Sequence, residues 1–222
     1  RRVEAVAARQ VGVGAHGLAR AVSGLGQATS GKVRITTSQV AAAWLLPPVL
    51  AALQDEEPAI HVELVASNAL SNLLRREADI AVRMVRPTQG GLVARRIGDI
   101  GIGAYAHERY LAAAGVPRRP DDLLRHRLVG FDLDDAIVRG FARLGVPIAR
   151  EQFALRTDDH IAYGELVDAG AGIGFMAHYV AARRPGLRRL LPHARIGPLP
   201  CWLAGHREIR SSRVGRRAYD FL

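Results

Sequence analysis

The chain has 222 residues, of which 49% are hydrophobic, so it is long enough and apolar enough to build one large domain or two small ones. Its 31 Lys and Arg residues against 21 Asp and Glu residues give a formal net charge of +10, which admits nucleic acid as a partner. The single cysteine, Cys201, excludes an internal disulfide, and the longest nearly unbroken apolar run, residues 40–53, is too short to span a bilayer.

Residues 1–30 are predicted to form a helix that packs on a partner, because apolar residues recur there at alternating spacings of four and three. Glycines oppose this helix, each costing about 1 kcal/mol relative to alanine. Residues 12–17 also match G-x-G-x-x-G, a pattern of dinucleotide-binding sites. No strand precedes the match, and no acidic residue follows it until Asp55, so no cofactor is predicted.

A regular alternation of strands and helices begins at residue 33. Such an alternation favours a parallel sheet with helices on its faces. Ligands of these sheets bind at the carboxyl ends of the strands, where Ser38, Ser67 and Arg83 lie. The predicted elements are strands at 33–38, 60–65 and 79–83 and helices at 41–53 and 70–78.

A second α/β unit, roughly residues 104–205, is predicted to be inserted before the last helix of the first unit. Two such lobes, joined by two crossing strands near Ala104 and Gly205, make a hinged cleft. The helix at 161–169 is predicted to be capped by Thr157 or Asp158 and to end at Gly170. The remaining predictions are strands at 92–98, 101–106, 128–131, 153–157, 173–176 and 201–206 and helices at 110–115, from 121 and at 211–222.

Catalysis is the first alternative to a binding function, but few features of the sequence support it. The eight histidines are dispersed, without the spacing that holds zinc, so no metal is predicted. Asp158, Asp159 and His160 imitate part of a catalytic set, but no G-x-S-x-G elbow accompanies them. Cys201 lies in an apolar strand, where a thiol is usually inert. No catalytic residue is therefore predicted.

The basic residues are nearly all arginine, since Lys32 is the only lysine. They fall in separated pairs such as Arg183-Arg184 and Arg188-Arg189, without the interleaved aromatic residues of a stacking platform. A total charge says little about where a charged patch lies. The pairs therefore indicate a solvated surface, with a direct nucleic-acid site as the alternative.

Seven segments, taken in their order and spacing, carry a resemblance to a known family. They are GKVRI at 31–35, LLPP at 45–48, IHVEL at 60–64, EADIAVR at 77–83, LVARRIG at 92–98, DLLRH at 122–126 and AGAGIG at 169–174. Together they resemble the effector-binding region of LysR-type transcriptional regulators over residues 31–222. Residues 1–30 resemble the linker helix of that family, which weakens the dinucleotide interpretation further.

The resemblance implies an α/β fold of two Rossmann-like lobes, which is periplasmic-binding-protein-like of type 2. By position, the first lobe would comprise residues 31–103 and 206–222, and the second lobe residues 104–205. The family carries a winged helix-turn-helix ahead of its linker, which reads DNA. This sequence contains none, so the resemblance implies that the DNA-reading part was removed or is not included here. The start at Arg1 without a methionine likewise predicts a fragment or a processed form.

The resemblance also implies what the chain binds and where it works. A small-molecule effector, for which a carboxylate is one candidate, would bind in the cleft and signal to the DNA-binding domain. Family members form homodimers or homotetramers in the cytoplasm, without a membrane partner. A solute-binding protein of a transporter shares the fold and is the alternative; the lack of a signal peptide and the linker helix count against it.

Carried over by position, the effector site has two walls. The first wall is Ser38, Gln39, Val40, Ser67 and Asn68, and the second wall is Phe131, Thr157, Asp158 and Phe175. Helix starts offer unpaired N–H groups that suit an anion, but Ser38 and Thr157 also fit as simple caps. Arg83 fits an anionic ligand or a pairing with Glu77 or Asp79. Asp158 fits a cationic or polar ligand, or a helix start.

Overall fold

The structure, a computed structural model, describes residues 30–68, 78–88, 90–194 and 196–222. The predicted linker helix with its glycine pattern, and the predicted helix at 70–78, lie outside these residues except for their last positions, Ser30 and Ala78. Among the described residues, no helix is long and apolar enough to cross a membrane.

Ten strands and seven α-helices follow one another along the described part of the chain. The strands are β1 (Gly31–Thr37), β2 (Ile60–Ala66), β3 (Ile80–Arg83), β4 (Leu92–Ile100), β5 (Ile102–His107), β6 (Leu128–Gly130), β7 (Phe153–Arg156), β8 (Gly174–Ala177), β9 (Leu187–Leu190) and β10 (Leu199–His206). The helices are α1 (Gln39–Trp44), α2 (Leu46–Glu56), α3 (Glu108–Ala114), α4 (Ala136–Arg143), α5 (His160–Asp168), α6 (His178–Ala181) and α7 (Arg213–Phe221). Short 3-10 helices lie at Pro120–Arg125, Arg150–Gln152 and Arg207–Arg210.

The first sheet has five strands in the order β2-β1-β3-β10-β4. β1 runs parallel to β2 and β3, which confirms the parallel sheet predicted from residues 33–83. β10 runs antiparallel between β3 and β4, with a bulge between Cys201 and Trp202. The carboxyl ends of the three parallel strands therefore meet at one edge, and the predicted first wall follows directly from it.

The second unit contains a three-stranded antiparallel sheet and a two-stranded parallel sheet. The first has the order β8-β5-β9, and the second pairs β6 with β7. β10, in contrast, pairs in the five-stranded sheet, although the sequence assigned residues up to 205 to the second lobe. We therefore propose lobes of 31–100 with 199–222 and of 102–190, following the strand pairing.

Each unit has its own apolar core. Val33, Ile35 and Leu203 are fully buried in the first unit, and Leu123 and Ile173 in the second. Burial of this kind supplies about 25 cal/mol per Å² of apolar surface removed from water. Two separate cores allow the units to move as bodies, so the contacts between them decide how the cleft is held.

The single helix predicted at 41–53 is wrong, because two helices, α1 and α2, occupy this region. α2 carries prolines in its first turn, where the missing N–H is tolerated. The same prolines cannot donate to carbonyl groups of the preceding turn, so they break a continuous helix at Leu45. The break leaves α1 a short helix that starts directly at the sheet edge.

Candidate functional site

The polar residues of the first wall are tied to one another. Ser38 caps α1, and its Oγ accepts a hydrogen bond from the backbone N–H of Ala41 at 3.3 Å. The Gln39 N–H donates to Asn68 Oδ1 at 3.2 Å, and Asn68 Nδ2 donates to Gln39 Oε1 at 2.8 Å. The backbone N–H of Ser67 donates to the Thr37 carbonyl. The start of α1 and the end of β2 are therefore held side by side.

Arg83 is 4% exposed and lies behind this wall at the end of β3. Its guanidinium donates to the Ser67 carbonyl at 2.5 Å and to Thr36 Oγ1 at 2.9 Å. Burial lowers the pKa of this guanidinium. Asp79, one of its predicted partners, accepts a hydrogen bond from the Arg34 backbone N–H at 2.8 Å, and Glu77 lies outside the described residues. Arg83 thus joins the ends of the three parallel strands.

Asp158, in the second wall, holds a loop. Its carboxylate accepts hydrogen bonds from the backbone N–H groups of Asp132 and Leu133 at 3.0 Å and of Asp134 at 3.4 Å. Chiefly the Leu133 N–H, with those of Asp134 and Asp132 and the charge of His160, holds the pKa of the Asp158 carboxyl below its usual range. The negative charge of Asp158 is therefore already opposed by backbone dipoles.

The cap of α5 differs from the sequence prediction. Asp159 is the capping residue, since its carboxylate accepts from the N–H groups of Ile161 at 2.8 Å and Ala162 at 3.0 Å. Thr157 Oγ1 accepts instead from the Asp159 N–H at 3.1 Å. The prediction of Thr157 or Asp158 as the cap is wrong, because Asp158 is engaged by the 132–134 loop. Gly170, with φ of 76°, follows the end of α5 as predicted.

The aromatic residues of the second wall share one neighbour, Tyr163, which is buried. The Phe131 ring lies 4.8 Å from the Tyr163 ring, between centroids. The Phe175 backbone N–H donates to the Tyr163 hydroxyl at 2.6 Å, and burial raises the pKa of that hydroxyl. Phe131 and Phe175 are thus fixed on the same side of α5.

The two units touch through α1. Val40 and Trp44 of α1 pack on the second core, against which Phe131 and Phe175 also pack. The Arg184 guanidinium lies over the Trp44 ring, 4.8 Å from its centroid. Arg184 is 7% exposed and donates to Glu165 Oε1 at 2.7 Å. Val40, Trp44, Glu165 and Arg184 are called the interlobe contact below.

The interlobe contact corrects one interpretation of the arginines. Arg183 is exposed, as expected of a solvated pair, but its neighbour Arg184 is buried. Arg184 was missed as a functional candidate because an Arg-Arg pair in a sequence does not reveal which member turns inward.

Solved structures resemble this fold. The regulatory domain of CrgA, a LysR-type transcriptional regulator from Neisseria meningitidis, superposes with a TM-score of 0.78 at 24% identity, covering 86% of this chain and 97% of that one. Full-length AphB, a virulence activator from Vibrio cholerae, superposes with a TM-score of 0.74 at 19% identity, covering 93% of this chain and 74% of that one. Both comparisons establish the two-lobed, type 2 periplasmic-binding-protein-like fold.

The sequence itself decides the family. Residues 26–222 match the LysR substrate binding domain. The chain belongs to this family. Over 182 residues it is 31% identical to the HTH-type transcriptional regulator PtxR of Pseudomonas aeruginosa, covering 75% of this chain and 55% of that protein. The chain therefore spans about half the length of this relative, and the predicted LysR effector-binding region is confirmed.

In this LysR-family domain, the structure also places His160 against Phe131 of the predicted second wall. Its ring stacks on Phe131 with centroids 4.7 Å apart. Burial lowers the pKa of His160, while Asp134, Asp158 and Asp159 oppose that shift. Burial therefore disfavours the charged imidazolium, and the three carboxylates favour it. From the sequence, His160 was considered only as part of a catalytic set. Its stacking partner lies 29 positions away along the chain, so no local pattern predicts the contact.

The predicted site residues fall into three groups in this LysR-family domain. Ser38, Gln39 and Asn68 contact one another or the start of α1, and the Ser67 N–H beside them donates to the Thr37 carbonyl. Val40 shares an apolar cluster with Phe131 and Phe175. Thr157 holds the backbone just before α5, and Asp158 holds the 132–134 loop. The assignment of these residues to effector binding stays a prediction.

Proposed function

We propose that this domain binds a small-molecule effector between its lobes and signals to a winged helix-turn-helix that binds DNA. The observation that carries the proposal is the position of α1. This helix starts at the carboxyl edge of the first sheet and packs on α5 and α6 of the second unit. A ligand at its start would therefore touch both lobes and bias their relative position.

The side chains of the two walls favour an anionic effector with an apolar body. The first wall offers hydroxyl and amide groups, and the second wall offers the rings of Phe131 and Phe175. This is the usual composition of a small-molecule site. An uncompensated negative charge on Asp158 would disfavour an anionic effector. Because three backbone N–H groups oppose that charge, a small carboxylate is compatible with the site.

A binding role rather than catalysis fits the relatives, which are transcriptional regulators. His160 lies against an aromatic ring, without a nucleophile among its described contacts. Cys201 is buried, and burial raises the pKa of its thiol, which disfavours the reactive thiolate. We therefore infer a cytoplasmic regulator rather than an enzyme or a transporter component.

Replacing Ser38 by phenylalanine is expected to abolish the response to the effector while the fold persists. The lost cap costs about 1 kcal/mol of helix stability, whereas the added ring fills the space beside Gln39 and Asn68. The measurement is a thermal-shift screen of small carboxylates, amino acids and aromatic acids. A bound ligand at 100 times its Kd adds about 2.7 kcal/mol.

Two variants separate the roles of Ser38. Ser38→Ala removes the cap and the hydroxyl without adding bulk, so it should weaken the ligand-induced shift less than Ser38→Phe does. Ser212→Phe changes a matched cap, since Ser212 Oγ accepts from the Gly215 N–H at 3.1 Å at the start of α7. This control should keep the shift. A ligand shift that survives in Ser38→Phe would place the effector site elsewhere.

We also propose a homodimer or homotetramer that uses a helix of each lobe. α2 exposes Pro47, Pro48, Ala51 and Ala52, and the adjoining β2 is an edge strand. Two-fold dimers are the commonest assembly of soluble chains. Light scattering at micromolar concentration should give at least a dimer mass.

Ala52→Glu should shift the dimer toward monomer, because it places a charge in the proposed apolar interface. Ala154→Glu, at an exposed position of strand β7 and in no helix, is the matched control and should leave the mass unchanged. A monomer mass for the unmodified chain would contradict the proposed assembly.

A further inference from the structure

A cavity of about 500 Å³ opens on the second lobe, away from the two walls. Three arginines line it, Arg109, Arg125 and Arg127, together with Tyr110 and the alanines of α3. Gly170, just past the end of α5, also lines it, whereas Thr157, Asp158 and His160 lie at or just before the start of that helix. The nine residues of α5 span about 13 Å at 1.5 Å per residue. The arginine cavity is therefore separate from the proposed effector cleft.

All the charged side chains that line the arginine cavity are positive. No carboxylate lines it, and within the described ranges none of its three arginines forms an ion pair. The acidic residue nearest in sequence to Arg125 is Asp122. Its carboxylate accepts from the backbone N–H groups of Arg118 and Arg119, both at 2.9 Å. The Asp122 carboxylate also attracts Arg125, whose charge helps those hydrogen bonds to lower the pKa of that carboxyl. No carboxylate in the lining faces Arg109 and Arg127, so their positive charge is left for a ligand to balance.

Two of the guanidinium groups are held in place by the protein. Arg127 lies over the Tyr110 ring at 5.1 Å, and its backbone N–H donates to the Tyr110 hydroxyl at 2.8 Å. Arg109 donates to the carbonyl of Ala169. A guanidinium has five N–H donors in a planar fork, so after each of these contacts several N–H groups remain available to bind a ligand. Arginines fixed in this way lose less entropy when they bind an anion.

We propose that the arginine cavity binds a small phosphate-bearing anion as a second ligand of this domain. Arginine forks match the oxygen geometry of phosphate, and several of them together suit a dianion. The cavity exceeds what a bare phosphate fills, and its volume lies in the range of small-molecule sites. Its alanines and the Tyr110 ring offer an apolar surface to an organic substituent. An organic phosphate should therefore bind more tightly than inorganic phosphate.

The test is calorimetric titration of the 222-residue chain with phenyl phosphate, inorganic phosphate and inorganic pyrophosphate at physiological salt. The double variant Arg125→Gln with Arg127→Gln should weaken phenyl phosphate at least tenfold. Arg183→Gln with Arg188→Gln is the control, because both arginines are exposed, lie outside the cavity and remove the same charge. This control should bind as the unmodified chain does.

A second variant guards against a disturbed fold. Ala113 is exposed and lines the cavity, so Ala113→Glu adds a repelling carboxylate without touching the arginines. It too should weaken phenyl phosphate at least tenfold, at an unchanged melting temperature. If the cavity and control variants lost affinity for phenyl phosphate equally, the loss would come from the net charge of the chain, and the proposal would be overturned. Millimolar phenyl phosphate giving no binding heat would overturn it too.

Discussion

Replacing Arg184 by alanine is expected to lower the free energy of unfolding by about 2–4 kcal/mol, the range of a lost buried contact. A desolvated cation–π contact contributes about 2 kcal/mol, and the buried stem of the arginine adds packing. The ion pair with Glu165 adds less, because the Glu165 side chain is 61% exposed and therefore screened by water. Chemical denaturation followed by circular dichroism measures the loss.

The neighbouring Arg183 provides the control, because it shares the short segment after α6 but is exposed. Arg183→Ala should stay within about 0.5 kcal/mol of the unmodified chain, as surface substitutions do. A double-mutant cycle with Trp44→Leu should give a coupling of about 1–2 kcal/mol, since the two side chains are in contact. Additive losses would show that Arg184 stabilises only its own lobe.

Replacing Arg83 by methionine is expected to cost about 2–4 kcal/mol, because buried polar groups lose their partner. The Ser67 carbonyl and the fully buried Thr36 hydroxyl each lose a charged donor. Removing a buried positive charge offsets part of this cost. The loss should be read from denaturant unfolding, and Arg83→Lys should recover only part of it, because an ammonium lacks the planar fork.

Arg86→Met is the matched control for this second substitution. Arg86 is exposed, and its guanidinium lies 5.4 Å from the centroid of the Trp202 ring. An exposed contact of this kind contributes about 0.5–1 kcal/mol. If Arg83→Met cost no more than Arg86→Met, the guanidinium of Arg83 would not be what joins the three strand ends.

The strands of the first sheet were predictable because, in the sequence, their apolar residues either alternate with polar ones or follow one another without a break. Val33 and Ile35 point into the core and are separated by Arg34, which is exposed. Helix α4 was missed, although Ile137 and Phe141 stand four residues apart and are both buried. Gly140 and the acidic run before the helix concealed that signal. β9 was missed because only its pairing with β5, some 80 residues earlier, makes it a strand.

The site was predictable in position but not in its bonds. Strand ends place Ser38, Ser67 and Arg83 at one edge, and sequence order alone shows this. The pairing of Gln39 with Asn68 joins residues 29 positions apart and depends on how the start of α1 meets the segment after β2. Asp159 rather than Asp158 caps α5 because the backbone of the 132–134 loop forms hydrogen bonds with the Asp158 carboxylate. Such choices belong to tertiary contacts, which local sequence does not encode.

The place of β10 inside the five-stranded sheet bears on how the chain acquires its structure during synthesis. β5 to β9 form one continuous stretch, so their sheets can close before the end of the chain leaves the ribosome. β3 and β4 have no common neighbour until β10, which follows β9 along the chain, has been made. Domains generally fold as units in the order of synthesis. Here the lobe that begins first is completed last, and its open strand edges need protection in the nascent chain.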